Sequence, residues 1–179
     1  MADRQDFFGI FGLEETLTID PADLQKRFYE RSRKFHPDLF ARKSERERNQ
    51  ALESTAILND AYRTLRDPVK RAEYVLTKHG FDMAEQRSAN VPPELLEEVF
   101  ELNEAMEEMR TGDESARPQL QEARGKFAGM LGEIDSDLEK EFAGSRLPEI
   151  RGLLNRRRYI ENLLRDVDKE LATDGHPTN

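Results

Sequence analysis

The sequence predicts an all-α protein whose second half is an antiparallel three-helix bundle. Three observations carry that expectation. Apolar residues recur at three- and four-residue spacing over most of the chain. Asp-Pro pairs and glycines punctuate these stretches where helices start and stop. From Pro92-Pro93 onward, three long amphipathic stretches are separated only by short turns.

The elements follow in chain order. Phe7, Phe8, Ile10, Phe11 and Leu13 form a short apolar cluster, read as one brief helix. Asp20-Pro21 supplies an N-cap and a proline at the first helical position. From there Leu24, Phe28, Ser32 and Phe35 fall on one narrow face, and Pro37 stops the helix. Residues 39 to 45 read as a polar loop. A helix from Glu45 to Arg66 packs through Leu58, Ala61, Tyr62 and Leu65. Asp67-Pro68 ends it and starts another, which carries Val69, Ala72, Tyr74, Val75 and Leu76 and stops at Gly80. Residues 81–91 lose periodicity and read as a linker, either a hinge or a segment pinned by Phe81 and Met83.

In the second half, Leu95, Val99, Leu102, Met106 and Met109 mark an amphipathic helix that Thr111-Gly112-Asp113 breaks. Leu120, Ala123, Phe127, Leu131, Ile134, Leu138 and Phe142 mark the next, with a turn at Gly144 to Pro148. Ile150, Leu153, Leu154, Ile160, Leu164, Val167 and Leu171 mark the last. The expected limits are a first domain at 1–80, the linker, a bundle at 92–172 and a disordered polar tail at 173–179.

Composition narrows the function. The 179 residues carry a net charge of −9, which argues against nonspecific nucleic-acid binding by the chain as a whole. There is no cysteine, so disulfides, thiolate metal sites and thiol nucleophiles are excluded. The charged N-terminus has no apolar signal core, and no apolar run is long enough to span a bilayer. The expectation is a soluble, cytoplasmic protein.

The most pointed stretch is RSRKFHPDLF, residues 31–40. In a catalytic His-Asp pair, the carboxylate orients the imidazole toward a nucleophile or substrate. Here Pro37 separates His36 from Asp38, and no nucleophile elbow, Walker loop, dinucleotide fingerprint or HExxH accompanies them. The other histidines, His79 and His176, are distant in sequence, and no metal site or cofactor is expected. Helix capping would account for His36 and Pro37 but leaves Asp38 without a task. Arg27, Arg31 and Lys34, at i, i+4 and i+7, form a basic stripe about a quarter-turn from the apolar face, where it should meet solvent. Lys26 and Arg33 broaden it. Between Pro21 and His36 the net charge is +3 within an acidic chain. A basic face ending in a rigid polar tripeptide reads as a docking surface for an acidic protein.

Residues 6–80 resemble a J-domain: a short first helix, a basic second helix, HPD in the loop, and a third helix containing LNDAYRTLRDPVKRAEY. The resemblance implies an antiparallel helical hairpin with the HPD loop at its end. It implies that His36, Pro37 and Asp38 contact a DnaK/HscA-type chaperone ATPase and stimulate its hydrolysis of ATP. Lys26, Arg27, Arg31 and Lys34 would then meet that partner's acidic surface. The active site would belong to the partner, and this chain would be no enzyme.

The second half narrows the resemblance. There is no Gly/Phe-rich stretch, and RAEYVLTKHGFD is followed by PPELLEEVFELNEAMEEM. From about residue 6 to 171 the chain is similar to the HscB-type co-chaperones of iron–sulfur cluster assembly. On the helix from Pro93 to Arg110, Leu96 and Phe100 fall roughly 100–140° off the core stripe. Glu97, Glu101, Glu104 and Glu108 run beside them. Seven Glu and one Arg give that segment a net charge of −6. Either this face binds a partner, or Glu serves there as a good helix former and Phe100 is packed away.

By resemblance, Leu96, Phe100, Glu101, Glu104, Glu108 and Tyr159 would bind the scaffold protein on which iron–sulfur clusters are assembled. Tyr159 could equally be an amphipathic side chain at a core edge. Glu97 stands where the family more often has an apolar residue. The N-terminal cysteine motif of some eukaryotic members is absent, which favours a bacterial-type protein. A different client, or a bundle that dimerises through Leu96 and Phe100, is the alternative.

Overall fold

A computed structural model describes residues 6–35, 37–40, 42–81 and 93–172; the side chains of Pro37, Asp38 and Glu94 also fall outside the description. All regular elements among the described residues are helical, as expected. The chain divides into two compact units, 1–81 and 82–179. The expected linker beyond Phe81 and the expected disordered tail lie outside the described residues.

In the first unit, α1 (Phe7–Phe11) is a five-residue helix ended by Gly12 in the left-handed region, φ 64°. Helix α2 (Pro21–Ser32) starts as the Asp-Pro pair predicts: Asp20 Oδ1 accepts from Ala22 N at 2.9 Å. It ends in a 3₁₀ turn, Arg33–Phe35, ahead of Pro37. Pro37 then opens a short helix, α3 (Pro37–Phe40), so Leu39 and Phe40 are helical rather than in the expected loop. A proline that cannot continue one helix is well placed to begin the next, because its missing N–H is not needed in a first turn. Helix α4 (Glu45–Arg66) begins with a capping box: Ser44 Oγ accepts from Glu47 N, and Glu47 Oε2 accepts from Ser44 N at 2.9 Å. Helix α5 (Pro68–Lys78) repeats the Asp-Pro start, with Asp67 Oδ1 accepting from Val69 N.

The core explains the arrangement. Phe28 of α2 stacks on Tyr62 near the end of α4, with centroids 4.2 Å apart. Phe35 and Phe40, later in the chain, share a groove with Glu47, Gln50 and Ala51 in its first half. Helices α2 and α4 are therefore antiparallel. Phe8 and Phe11 of α1 are buried with Leu24, Leu58, Leu65 and Leu76. Each such side chain contributes roughly 1.5–3 kcal/mol by leaving water. Phe7 stacks on Tyr74 of α5 at 4.6 Å. Arg71 is only 6% exposed; its Nε donates to Leu17 O at 3.0 Å and its Nη1 to Leu65 O at 2.5 Å. Burial pulls its pKa down, opposed by the charge of Asp67.

The second unit holds α6 (Leu96–Arg110), α7 (Arg117–Gly144) and α8 (Leu147–Ala172), with 3₁₀ turns at Pro93–Leu95 and Glu114–Ala116. Ion pairs give the directions. Arg110 meets Glu170 and Arg124 meets Asp168, while Arg157 meets Asp135 and Lys126 meets Glu98. Successive helices are therefore antiparallel, as expected. The turn between α7 and α8 is only Ser145-Arg146, narrower than expected, because Ser145 adopts the left-handed conformation (φ 51°) that reverses the chain at once. The core contains Leu95, Leu102, Leu120, Phe127, Leu138, Ile150, Ile160 and Val167. On α8 the buried leucine is Leu163; Leu164, expected in its place, is half-buried. At 3.6 residues per turn both lie near the stripe, and the packing of α7 selects between them.

Among the described residues, no helix is long and apolar enough to cross a membrane. Nor does any group of three His, Cys, Asp or Glu side chains among them stand ready to hold a metal ion.

Candidate functional site

Among the described residues, α2 in the first unit and α6 in the second each carry exposed charged side chains. On α2, burial of Leu24 and Phe28 fixes the inward face. Lys26, Arg33 and Lys34 are exposed. Tyr29 is 55% exposed, and with Lys26 and Arg33 it forms the outermost row at i, i+3, i+7. The expected stripe does not face solvent as a whole. Arg27 and Arg31 are half-buried. A Cβ on Gly12 would lie 3.7 Å from Arg27 Nη1 and 3.8 Å from Arg31 Nη2, so both guanidiniums converge on the turn after α1. Arg27 Nη1 donates to Phe11 O at 3.0 Å and Gly12 O at 3.1 Å, and its Nε pairs with Asp23 at 2.7 Å. The physical reason is that a helix end leaves carbonyls without intrahelical partners, and these carry partial negative charge.

His36 lies outside the described residues, as do the side chains of Pro37 and Asp38. The segment that carries them is flanked by Phe35 and Phe40. These two, with Ala51 and Ile57, line a groove of about 590 Å³ against α4 that the sequence reading did not anticipate.

On α6 the apolar stripe is buried through Val99, Leu102, Ala105 and Met106. On the other side Leu96 is 56% exposed and Phe100 is 70% exposed. Glu97, Glu101, Glu104 and Glu108 are exposed beside them. Of the neighbouring acids, Glu98 pairs with Lys126 at 3.0 Å and Glu107 approaches Arg110. Glu101, Glu104 and Glu108 have no ion-pair partner among the described residues. Glu101 and Glu104 also edge a groove of about 480 Å³ between α6 and α7, walled by Gln119, Glu122 and Lys126. Tyr159 on α8 is half-buried, and burial raises its phenol pKa. This fits both the core-edge reading and partial presentation to a partner.

A third cluster, absent from the sequence reading, ties the ends of the first unit together. Lys78 Nζ lies 3.0 Å from Asp6 and 2.8 Å from Glu15, and His79 Nε2 lies 2.6 Å from Glu15. Partial burial pushes the Glu15 carboxyl up. Hydrogen bonds and charge from Lys78 and His79 outweigh that and hold it below its ordinary value. Partial burial pushes the Asp6 carboxyl up as well, and Lys78 together with hydrogen bonds from the backbone of Phe8 and Gly9 outweighs that and holds it below its ordinary value.

Residues 6–74 match the DnaJ domain, and residues 91–168 match the HSCB C-terminal oligomerisation domain. The chain is 30% identical over 161 residues to a co-chaperone protein HscB homolog of Vibrio vulnificus (strain YJ016), covering 90% of this chain and 94% of the relative. To the homolog of Aliivibrio salmonicida (strain LFI1238) it is 33% identical over 165 residues, with the same coverage. Chaperone HscB from Vibrio cholerae superposes with a TM-score of 0.66 at 32% identity, over 92% of this chain and 96% of that one. Human co-chaperone protein HscB superposes with a TM-score of 0.72 at 25% identity, over 96% and 85%. A DnaJ domain in the first unit, an HscB C-terminal domain in the second and full-length relatives place the chain in the HscB family of J-domain co-chaperones.

Proposed function

We propose that this co-chaperone triggers a DnaK/HscA-type chaperone ATPase through its first unit and delivers the iron–sulfur scaffold protein to it through α6. The observation that carries the delivery half is the exposure of Phe100 and Leu96 on a helix whose opposite face is core. Large apolar groups left in water beside unpaired carboxylates suit a protein partner with an apolar patch rimmed by basic residues. Glu101, Glu104 and Glu108 supply the acidic rim, and Tyr159 extends the apolar part from α8. The basic surface of α2, with His36, Pro37 and Asp38 at its end, suits an acidic surface on the ATPase. The two charged surfaces differ in sign because they serve different partners. The chain itself turns over no substrate: bond cleavage takes place in the chaperone, whose hydrolysis-competent arrangement the J-domain favours. The setting is the cytoplasm.

Binding measured calorimetrically with purified scaffold protein tests the delivery half. Phe100→Ala weakens binding about tenfold or more, as loss of a central aromatic contact does. An unchanged affinity removes α6 as the scaffold surface. A second reading has the same exposed pair in its favour, together with the description of the matched C-terminal family as an oligomerisation domain. In it, two copies bury Leu96 and Phe100 against each other. Sedimentation of the protein alone separates the two readings, since only the second gives a dimer that Phe100→Ala dissociates.

A further inference from the structure

The basic residues of α2 do not all do the same thing. Helix α1 has only five residues, and Gly12 N caps Gly9 O and Phe8 O. Phe11 O and Gly12 O accept instead from Arg27 Nη1, at 3.0 and 3.1 Å. The same guanidinium is oriented by Asp23, one turn back on α2, at 2.7 Å from its Nε. A planar fork held at both edges is a rigid connector, which a lysine cannot reproduce. Phe8 and Phe11 anchor α1 in the core. Arg27 therefore links α2 to an element that is itself fixed. Lys26 and Tyr29 on another side of α2, and Arg33 in the turn that follows it, form the exposed row and have no part in this connection.

We infer that Arg27 is a positioning residue for chaperone recruitment: with Asp23 it fixes α2 on α1, so that the Lys26–Tyr29–Arg33 row meets an acidic partner surface in one orientation. The inference rests on the chaperone-triggering role proposed above. It makes a prediction of opposite sign to a simple charge reading. Asp23→Ala makes α2 more positive. If Arg27 touched the acidic partner directly, that substitution would free it and tighten docking. If Arg27 positions α2, the same substitution weakens docking.

The experiment uses the full-length chain and a purified DnaK-type chaperone, with the ATPase rate followed against co-chaperone concentration. Wild type, Asp23→Ala, Arg27→Gln, Arg27→Lys and the double variant Asp23→Ala/Arg27→Gln are compared, each checked for helicity by circular dichroism. Asp23→Ala and Arg27→Gln each raise the half-saturating concentration roughly three- to tenfold, the scale of one lost charge-assisted hydrogen bond. The maximal rate is retained, because the tripeptide that triggers hydrolysis is intact. Arg27→Lys fails to restore docking although it keeps the charge. The double variant is no worse than the more severe single one, since both act through one connection. Tighter docking by Asp23→Ala, or full rescue by Arg27→Lys, overturns the inference and makes Arg27 a direct contact. If Arg27→Gln does not fold, Asp23→Ala still decides by the direction of its effect. A wild-type chain that gives no stimulation overturns the chaperone-triggering reading, and the inference falls with it.

Discussion

Arg27 and Arg71 show what single residues contribute when their partners come from elsewhere in the fold. Both are arginines whose guanidiniums satisfy backbone carbonyls at chain reversals. Nothing local in the sequence marks either role, because the accepting carbonyls lie 15 and 16 residues away for Arg27, and 6 and 54 for Arg71. Replacing Arg71 by leucine keeps the bulk but leaves Leu17 O and Leu65 O buried without their donor. Chemical denaturation should show a loss of about 2–4 kcal/mol. The Glu15 cluster makes a pH-dependent contribution. Its carboxyl has a lower pKa folded than unfolded, so the stabilisation is present above the unfolded value and disappears as pH falls through the folded one. Glu15→Gln should therefore lower the unfolding free energy at pH 7, by about 1 kcal/mol or less for such a partly exposed pair, read by chemical denaturation. The difference should vanish as pH drops below the ordinary carboxylate range. A gap that persists in strong acid would mean that packing, not charge, holds the contact.

At the scale of elements, the starts were legible and the ends less so. Asp20-Pro21 and Asp67-Pro68 announce helices because the cap and the fixed proline φ act within a single turn. Helix α3 was not legible, since a proline that stops one helix has the same spelling as one that starts another. The choice between Leu163 and Leu164 depended on how α7 lies against α8, which no local period encodes. Helix α6 was legible in its core: Val99, Leu102 and Met106 are buried as the period places them, while Ala105 joins them, Met109 is only half-buried, and the exposure of Leu96 and Phe100 decides a choice that the period left open. The basic face of α2 was half legible, because periodicity located the cations but not the α1 carbonyls that draw Arg27 inward. Helix α7 offers a test of local propensity. Gly125, Gly129 and Gly132 are exposed in its interior, and a Cβ at each meets nothing within 4 Å. Alanine at each position should stabilise the unit by roughly 0.5–1 kcal/mol by restricting the unfolded chain, read as a higher thermal midpoint. A lower midpoint would show that this smooth side of α7 is needed for close packing.

The whole molecule combines two surfaces of opposite charge on two units, each built on a helix whose other side is core. Under the proposed function, one chain would hold two partners together and raise the effective concentration of one for the other. The separation also means that the two functions should fail independently. His36→Gln should abolish stimulation of the chaperone and leave scaffold affinity unchanged, whereas Phe100→Ala should do the reverse. The most direct measurement is the chaperone's ATPase rate as scaffold protein is added at a fixed, sub-saturating concentration of wild-type, His36→Gln or Phe100→Ala chain. The wild-type rate should rise further with scaffold. Phe100→Ala should stimulate on its own yet lose most of the added effect, and His36→Gln should stay at the basal rate throughout. A Phe100→Ala chain that responds to scaffold as wild type does would contradict the coupling of the two surfaces.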